Sequence, residues 1–322
     1  MSSTIERTSA FIAERFATEF AECGSLDEFY HFLQSLPNPD EASIRGVIGS
    51  MLWVMTGRQT IRLTESLAQL LASTSIRNMP SEWAKMPFPV FALKLDGDVA
   101  WTQDLDGKRI PLEGCIIHDH TNSKYGYGIT MVGYSRSLVA GETTVTYTCI
   151  ALDGNITNVQ SLLGTPESKA NGMFDESMQL ESEHLVTLVL NALVYISNSD
   201  DKGYRTNRDI DTIKRKLASC SPKKAKKYQR ALNNALSSPP SIIYGRDIVI
   251  DKQLSSALSD EEKSASSGRR ITCRFIVRGH WTHQVHGPQR SLRKPLWIKP
   301  YWKGPQSGAQ LIRSYIAKGD QK

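Results

Sequence analysis

Apolar residues in the first 35 positions recur at helical spacing (Ile5, Phe11, Ile12, Phe16, Phe20) and predict an amphipathic helix that ends at Gly24-Ser25. Ser25, with Glu28 three residues on, has the capping-box form and predicts a second, short helix, which Pro37-Asn38-Pro39 breaks. Two more helices are predicted near 40–56 and 58–77, separated by Gly57. The first 77 residues therefore read as all-helical, a packing or dimerisation module. The pattern changes after Pro80, Pro87 and Pro89. Runs with strand chemistry at 90–95, 99–102, 114–118, 126–134 and 143–152 alternate with the turn dipeptides Asp96-Gly97, Asp106-Gly107 and Asp153-Gly154. That spacing predicts an antiparallel sheet of about five strands. Residues 164–178 read as a polar loop, and 179–197 as the most apolar helix, buried against the sheet.

Residues 198–240 turn polar and basic: a loop, a helix, and a second helix that starts at Ser221-Pro222 and stops at Pro239-Pro240. A strand at 242–250, a short helix at 251–259 and a polar hinge at 260–268 follow. The fold class is α+β: a helical N-terminal subdomain (1–79), an α+β body (80–259), the hinge, and a basic aromatic segment (269–322) folded as a β-hairpin.

Composition narrows the function. With 40% hydrophobic residues the chain can bury a core, so wholesale disorder is excluded. No run approaches the ~18 apolar residues of a membrane span. The start has acids within its first apolar stretch and no signal-peptide layout. Cys23, Cys115, Cys149, Cys220 and Cys273 form no CxxC pair, a cytosolic usage. The net charge of +6 is unevenly spread. Residues 269–322 carry +11 and residues 205–230 carry +8, which leaves −13 on the rest. That split points to a polyanion-facing surface on an acidic scaffold.

The tail interleaves cations with Trp281, Trp297, Tyr301 and Trp302, the composition of a surface that neutralises phosphates and stacks on unpaired bases. The same composition also suits a hairpin whose aromatics pack on the core while Lys and Arg face water. Arg278, His280, Arg293, Lys294 and Lys299 are the candidate RNA or ribosome contacts. Trp281, Trp297 and Trp302 either stack on bases or pin the hairpin, and Gly279 allows a bulge or tight bend. Lys223, Lys226, Lys227 and Arg230 form a second basic face on the 222–236 helix. His280, His283 and His286, at three-residue steps, put only two imidazoles on one face of a strand, which argues against a metal site. His118 and His120 share a strand face and are candidate acid–base residues, as is His280; the other reading is two ordinary histidines about a turn-capping Asp119 before a turn at 121–123. No phosphate loop, dinucleotide fingerprint, HExxH or GxSxG occurs, so no cofactor is implied.

Arg278-Gly279-His280-Trp281 is an RGHW box preceded by a basic strand. A basic linker and the Trp-led strand Trp297-Ile298-Lys299-Pro300 follow it. This tail resembles that of a phage- and plasmid-borne family, the family of the second type V-A anti-CRISPR protein. The order upstream is similar too: a helical start, MPFPVFALKL at 86–95, a buried helix at 185–196 and IIYGRDI before the hinge. The resemblance implies a cytoplasmic, mobile-element protein that binds the nascent N-terminal peptide of a target and causes loss of its mRNA. Its partners would be that polypeptide and RNA or the ribosome, with no membrane. Edge-strand addition is one way the sheet would hold an extended peptide. Two other readings of the same residues are a histidine ribonuclease and a DNA-binding regulator.

Overall fold

A computed structural model describes residues 4–37, 41–77, 79–103, 108–122, 126–135, 145–151, 155–156, 176–205, 207–219, 221–237, 241–250, 274–305 and 310–311. The chain opens with three helices, α1 (Thr4–Glu22), α2 (Leu26–Gln34) and α3 (Glu41–Met55). Ser25 caps α2, its Oγ accepting the Glu28 N–H at 3.1 Å, and the Glu28 carboxylate reaches back to the Gly24 N–H at 2.6 Å. The predicted helix at 58–77 is instead a strand β1 (Thr60–Leu63), a helix α4 (Glu65–Ala72) and a short strand β2 (Thr74–Ser75). Gly57 and Arg58, both at positive φ, turn the chain out of α3. Thr64 then caps α4 by accepting the Leu67 N–H. The first 77 residues are therefore not all-helical.

Two short strands, β3 (Met79–Pro80) and later β9 (Asn155–Ile156), pair with each other. Between them run β4 (Val90–Leu95), β5 (Trp101–Gln103), β6 (Arg109–Asn122), β7 (Gly126–Ser135) and β8 (Val145–Ala151). All five predicted strands are present, and β4 to β8 pair antiparallel as expected. The long apolar helix is α5 (Glu176–Asn198), beginning three residues before its predicted start. β10 (Tyr204–Arg205) leads into the helices α6 (Asn207–Ser219) and α7 (Pro222–Ser237), and β11 (Ser241–Tyr244) follows. The predicted strand at 242–250 ends at Tyr244, because Gly245 takes a positive φ of 82° and turns the chain. The main sheet has the order β10-β11-β1-β4-β6-β7-β8, with β5 also on β6. It is mixed rather than antiparallel throughout, since β1 runs parallel to both β4 and β11.

Side-chain alternation along the strands builds two cores. Phe91, Leu93, Cys115, Ile117 and Met131 face α4 and α5, where Leu185, Leu188, Val189 and Leu193 complete one buried layer. Val90, Ala92, Ile116, Val132 and Tyr134 face the other way, onto Ile5 of α1 and Trp53 of α3. α1 is tied down at its start by Glu113, whose carboxylate accepts the Thr4 N–H at 2.6 Å. Burial pushes the Cys115 thiol up to about 12, so it stays neutral and inert at physiological pH. The C-terminal segment forms β12 (Arg274–Val277), β13 (Gly279–His286), β14 (Leu292–Ile298), β15 (Tyr301–Lys303) and β16 (Gln310–Leu311). β13 and β14 are the predicted hairpin, and β13 also pairs in parallel with β2 of the body. The chain is thus an α+β protein with N-terminal helices and a C-terminal strand hairpin. Among the described residues no helix is long and apolar enough to cross a membrane. The polar loop up to 175, the 251–259 helix, the 260–268 hinge, Asp106-Gly107, Asp153-Gly154, Cys220, Cys273 and the Cys149 side chain lie outside the described residues.

Gly114 sits where β6 passes β4, and a Cβ there would lie 2.1 Å from the Leu93 carbonyl oxygen. Backbone cannot yield as a flexible side chain does. Gly114→Ala is expected to cost about 3 kcal/mol or more of unfolding free energy, at or above the usual overpacking range, measured by urea denaturation.

Candidate functional site

The RGHW box is a joint between the hairpin and the body. Gly279 opposes Thr74 in the parallel β13–β2 pairing. A Cβ at Gly279 would come 2.5 Å from Thr74 Oγ1 and 2.9 Å from Pro300 Cδ. Glycine is required there for close approach. The expected bulge or bend is absent, since β13 pairs in unbroken register with β14 from His280 to His286. Two residues on, Trp281 donates its indole N–H to Asn191 Oδ1 at 2.7 Å. Asn191 is fully buried in the middle of α5, and its amide nitrogen donates to the carbonyls of Leu71 at 2.9 Å and Thr74 at 2.8 Å. Trp297 stands opposite Trp281 across the hairpin, the rings stacked at 6.1 Å and 24°. Its indole N–H donates to Thr74 Oγ1 at 3.1 Å, and that hydroxyl donates to Leu70 O at 2.7 Å.

The contact chain continues through α5. Tyr195 meets Trp297 edge-on, centroids 5.3 Å apart at 82°. Its hydroxyl donates to Asp201 Oδ2 at 3.1 Å. The same carboxylate accepts the backbone N–H groups of Gly203 and Gly245, each at 2.9 Å, so it holds β10 beside β11. Burial, then the Asp201 charge, raises the Tyr195 phenol well above its ordinary value and keeps it a donor.

Directly opposed residues of an antiparallel pair share a face. Gly279, Trp281 with Trp297, and His283 with Pro295 face the body, where the His283 ring lies 4.5 Å from that of Trp83. His280, Thr282, Gln284 and His286 share the outer face with Ile298, Leu296, Lys294 and Leu292. His280 and His286 therefore point away from His283, and the three imidazoles do not converge. Arg278, Arg293, Lys294 and Lys299 are exposed. The Arg293 guanidinium donates to the carbonyls of Arg290 and Leu292, and the Lys299 ammonium lies 5.8 Å from the Trp297 ring centre. Trp302 sits apart, half-buried in β15 opposite Ile276, with the Arg274 guanidinium 5.0 Å over its ring. Of the two roles open to the tail indoles, pinning is the geometry of Trp281 and Trp297.

The remaining sequence candidates lie elsewhere. α6 and α7 pack on each other, and the pair is inserted between β10 and β11 at one end of the main sheet. Lys226, Lys227 and Arg230 are exposed on α7, and the Lys223 side chain is outside the described residues. His118 is 2% exposed, beneath α3, where a Cβ on Gly49 would lie 3.7 Å from its ring. The turn predicted at 121–123 is absent as far as Asn122, because β6 continues with Thr121 opposite Tyr127 and Asn122 opposite Gly126. His120 lies on that strand opposite Gly128, with its side chain outside the described residues. Sequence reasoning missed Asn191, Thr74, Tyr195 and Asp201. Asn191 had a signal: it is the one amide side chain in the otherwise apolar and aromatic run LVLNALVYI.

Trp281→Phe keeps a ring of similar shape but leaves Asn191 Oδ1 buried without its donor. The expected cost is about 1–3 kcal/mol of stability, with a coupling energy of about 1 kcal/mol to Asn191→Ala in a double-mutant cycle followed by urea denaturation. A coupling near zero would show that the bond is not formed in solution.

The anti-CRISPR type V subtype A2 family model matches residues 61–305, which include the joint on both sides. A crystal structure of AcrVA2 is similar to this chain with a TM-score of 0.49 and 13% identity, over 93% of this chain and 99% of that one. Among curated protein sequences none matches. The family match spans well over half of the sequence, and the chain belongs to the anti-CRISPR type V subtype A2 family.

Proposed function

We propose that this anti-CRISPR-like protein lowers production of a target protein by binding the target's nascent N-terminal peptide and triggering loss of its mRNA. It would do so in the cytoplasm of the bacterial host of a phage or other mobile element. The peptide would add to the α+β body, and the basic surfaces would face RNA or the ribosome. Family membership supports the anti-CRISPR part of this reading. The observation that carries the rest is the segregation of charge. Residues 274–305 contain seven Lys and Arg and no acid, and the hairpin among them is fixed to the body through its indoles while Arg278, Arg293, Lys294 and Lys299 stay exposed.

With +19 on residues 205–230 and 269–322 together and −13 on the remaining residues, the chain can hold RNA at one place and a peptide at another. β8 ends the main sheet among the described strands, and seven residues of edge are enough for strand addition by an extended peptide.

The test is a pair of reporters in a bacterial host, one led by the N-terminal codons of a type V-A nuclease and one with those codons frame-shifted at unchanged base composition. Reporter mRNA should fall several-fold only with the in-frame leader, and the protein should travel with polysomes on a sucrose gradient. Arg278→Ala with Lys294→Ala, both exposed, should release it from polysomes while a thermal melt shows the variant still folded. Equal mRNA loss with both leaders would overturn the peptide reading. A protein that stays at the top of the gradient at low salt would overturn the ribosome reading.

A further inference from the structure

The α6–α7 helix pair has features that its place in the fold does not explain. From Lys214 to Arg230 it carries Lys214, Arg215, Lys216, Lys223, Lys224, Lys226, Lys227 and Arg230, with no acid. The hairpin geometry brings the last turn of α6 and the first turn of α7 to one end. Cations at a helix C-terminus are favoured, but at an N-terminus they oppose the helix dipole. α7 starts with Lys223 and Lys224 and has no acid in its first turn. Lys226, Lys227 and Arg230 are exposed on one face of α7, and the sequence spacing sets Lys223 one turn before them; like charges at i,i+3 and i,i+4 cost a few tenths of a kcal/mol each. Leu232 is buried on the other side of the helix, and Tyr228 on that side is half-buried. Among the described residues no ion pair engages Lys214, Lys216, Lys226, Lys227 or Arg230.

We infer that the solvent face of α7 is a sequence-independent binding surface for the phosphate backbone of a nucleic-acid duplex. The inference rests on the proposed RNA-facing role and assigns it a place and a mode. The stripe from Lys223 to Arg230 spans about 10 Å of helix axis. A duplex presents about six phosphate charges over that length. The stripe is three lysines and one arginine, with Tyr228 turned to the packed side, a chemistry suited to neutralising phosphates wherever a backbone presents them. It also lacks the apolar flank that an interfacial membrane helix buries, which separates it from a lipid-binding face. In the C-terminal hairpin, by contrast, the indoles that would stack on bases are turned into the body. The helix pair has the denser run of cations, eight within residues 214–230 against seven within 274–305, and to it the duplex contact is assigned.

The experiment uses the full chain and fluorescein-labelled probes in anisotropy titrations: a 24-base-pair RNA duplex, a DNA duplex of the same sequence, and the single RNA strand. No ribosome or peptide is present, so the result is independent of peptide-triggered mRNA loss. Wild type should bind both duplexes, with log K falling against log salt at a slope of roughly −3 to −4. Lys226→Gln, Lys227→Gln and Arg230→Gln together should weaken duplex binding at least tenfold at 100 mM salt and make the slope shallower by roughly 2 to 3. These positions are exposed, and relief of their mutual repulsion should leave the thermal melt unchanged or slightly raised. Arg293→Gln with Lys294→Gln in the hairpin should change duplex affinity less than threefold. Absence of duplex binding by the wild type, an unchanged slope in the α7 variant, or a larger loss in the hairpin variant would each overturn the assignment. Tighter binding of the RNA duplex than of the DNA duplex would identify RNA as the source of the phosphate and support it.

Discussion

The architecture depends on one buried amide. Asn191 lies in the fully buried stretch of α5, where an unsatisfied polar group would cost about 1–3 kcal/mol. Its two N–H bonds go to the end of α4 and the start of β2, and its oxygen takes the Trp281 indole N–H. Its oxygen meets the Trp281 donor only when the C-terminal hairpin is docked in one register. A hydrophobic contact between hairpin and body would tolerate sliding. A buried amide that must meet one indole does not, because each shifted register leaves a donor and an acceptor dry.

From that point the constraint spreads in both directions. Toward the hairpin it fixes Trp281, and through the cross-strand stack it fixes Trp297, whose own N–H is bound to Thr74. Close approach of the two backbones at Gly279 follows, and a side chain there would strike Thr74 or Pro300. Toward the sheet edge, Trp297 packs on Tyr195, and Tyr195 donates to the Asp201 carboxylate that joins β10 to β11. The α6–α7 pair leaves and re-enters the fold at those two strands. The two most basic parts of the chain are thus held by one continuous set of contacts built on α5. Docking of the hairpin and seating of the helix pair are physically linked, whichever anion each one meets.

Much of the fold was legible because the strands have clean boundaries. Asp-Gly dipeptides and prolines bracket runs that alternate or stay apolar, and β4 lies at its predicted 90–95. The segment 60–63 was illegible for a physical reason. Four residues of TIRL are too short for periodicity to separate strand from helix, and the run is a strand because β4 and β11 claim both of its edges. The strand predicted at 242–250 was too long because Gly245 was read as a strand residue, when its N–H is needed by Asp201. In the tail, alternation told which residues share a face but not which face meets the body. Trp281 and Trp297 were therefore equally open to base stacking and to packing. A glycine beside them suited a bulge or a close contact, since both need only a missing Cβ. Only the partner strand, supplied by residues 74 and 75 some 200 positions earlier, decides it.

The RGHW box is a structural joint closed by Asn191. Amide hydrogen exchange on β13 and β14 tests it most directly, comparing wild type with Asn191→Ala. Slow exchange is expected at 280–286 and 292–298 in the wild type, comparable to that of α5, with a loss of protection of at least tenfold across both strands in the variant while β6 and β7 remain protected. Hairpin amides that exchange at unprotected rates in the wild type, or a hairpin indifferent to the substitution, would contradict it.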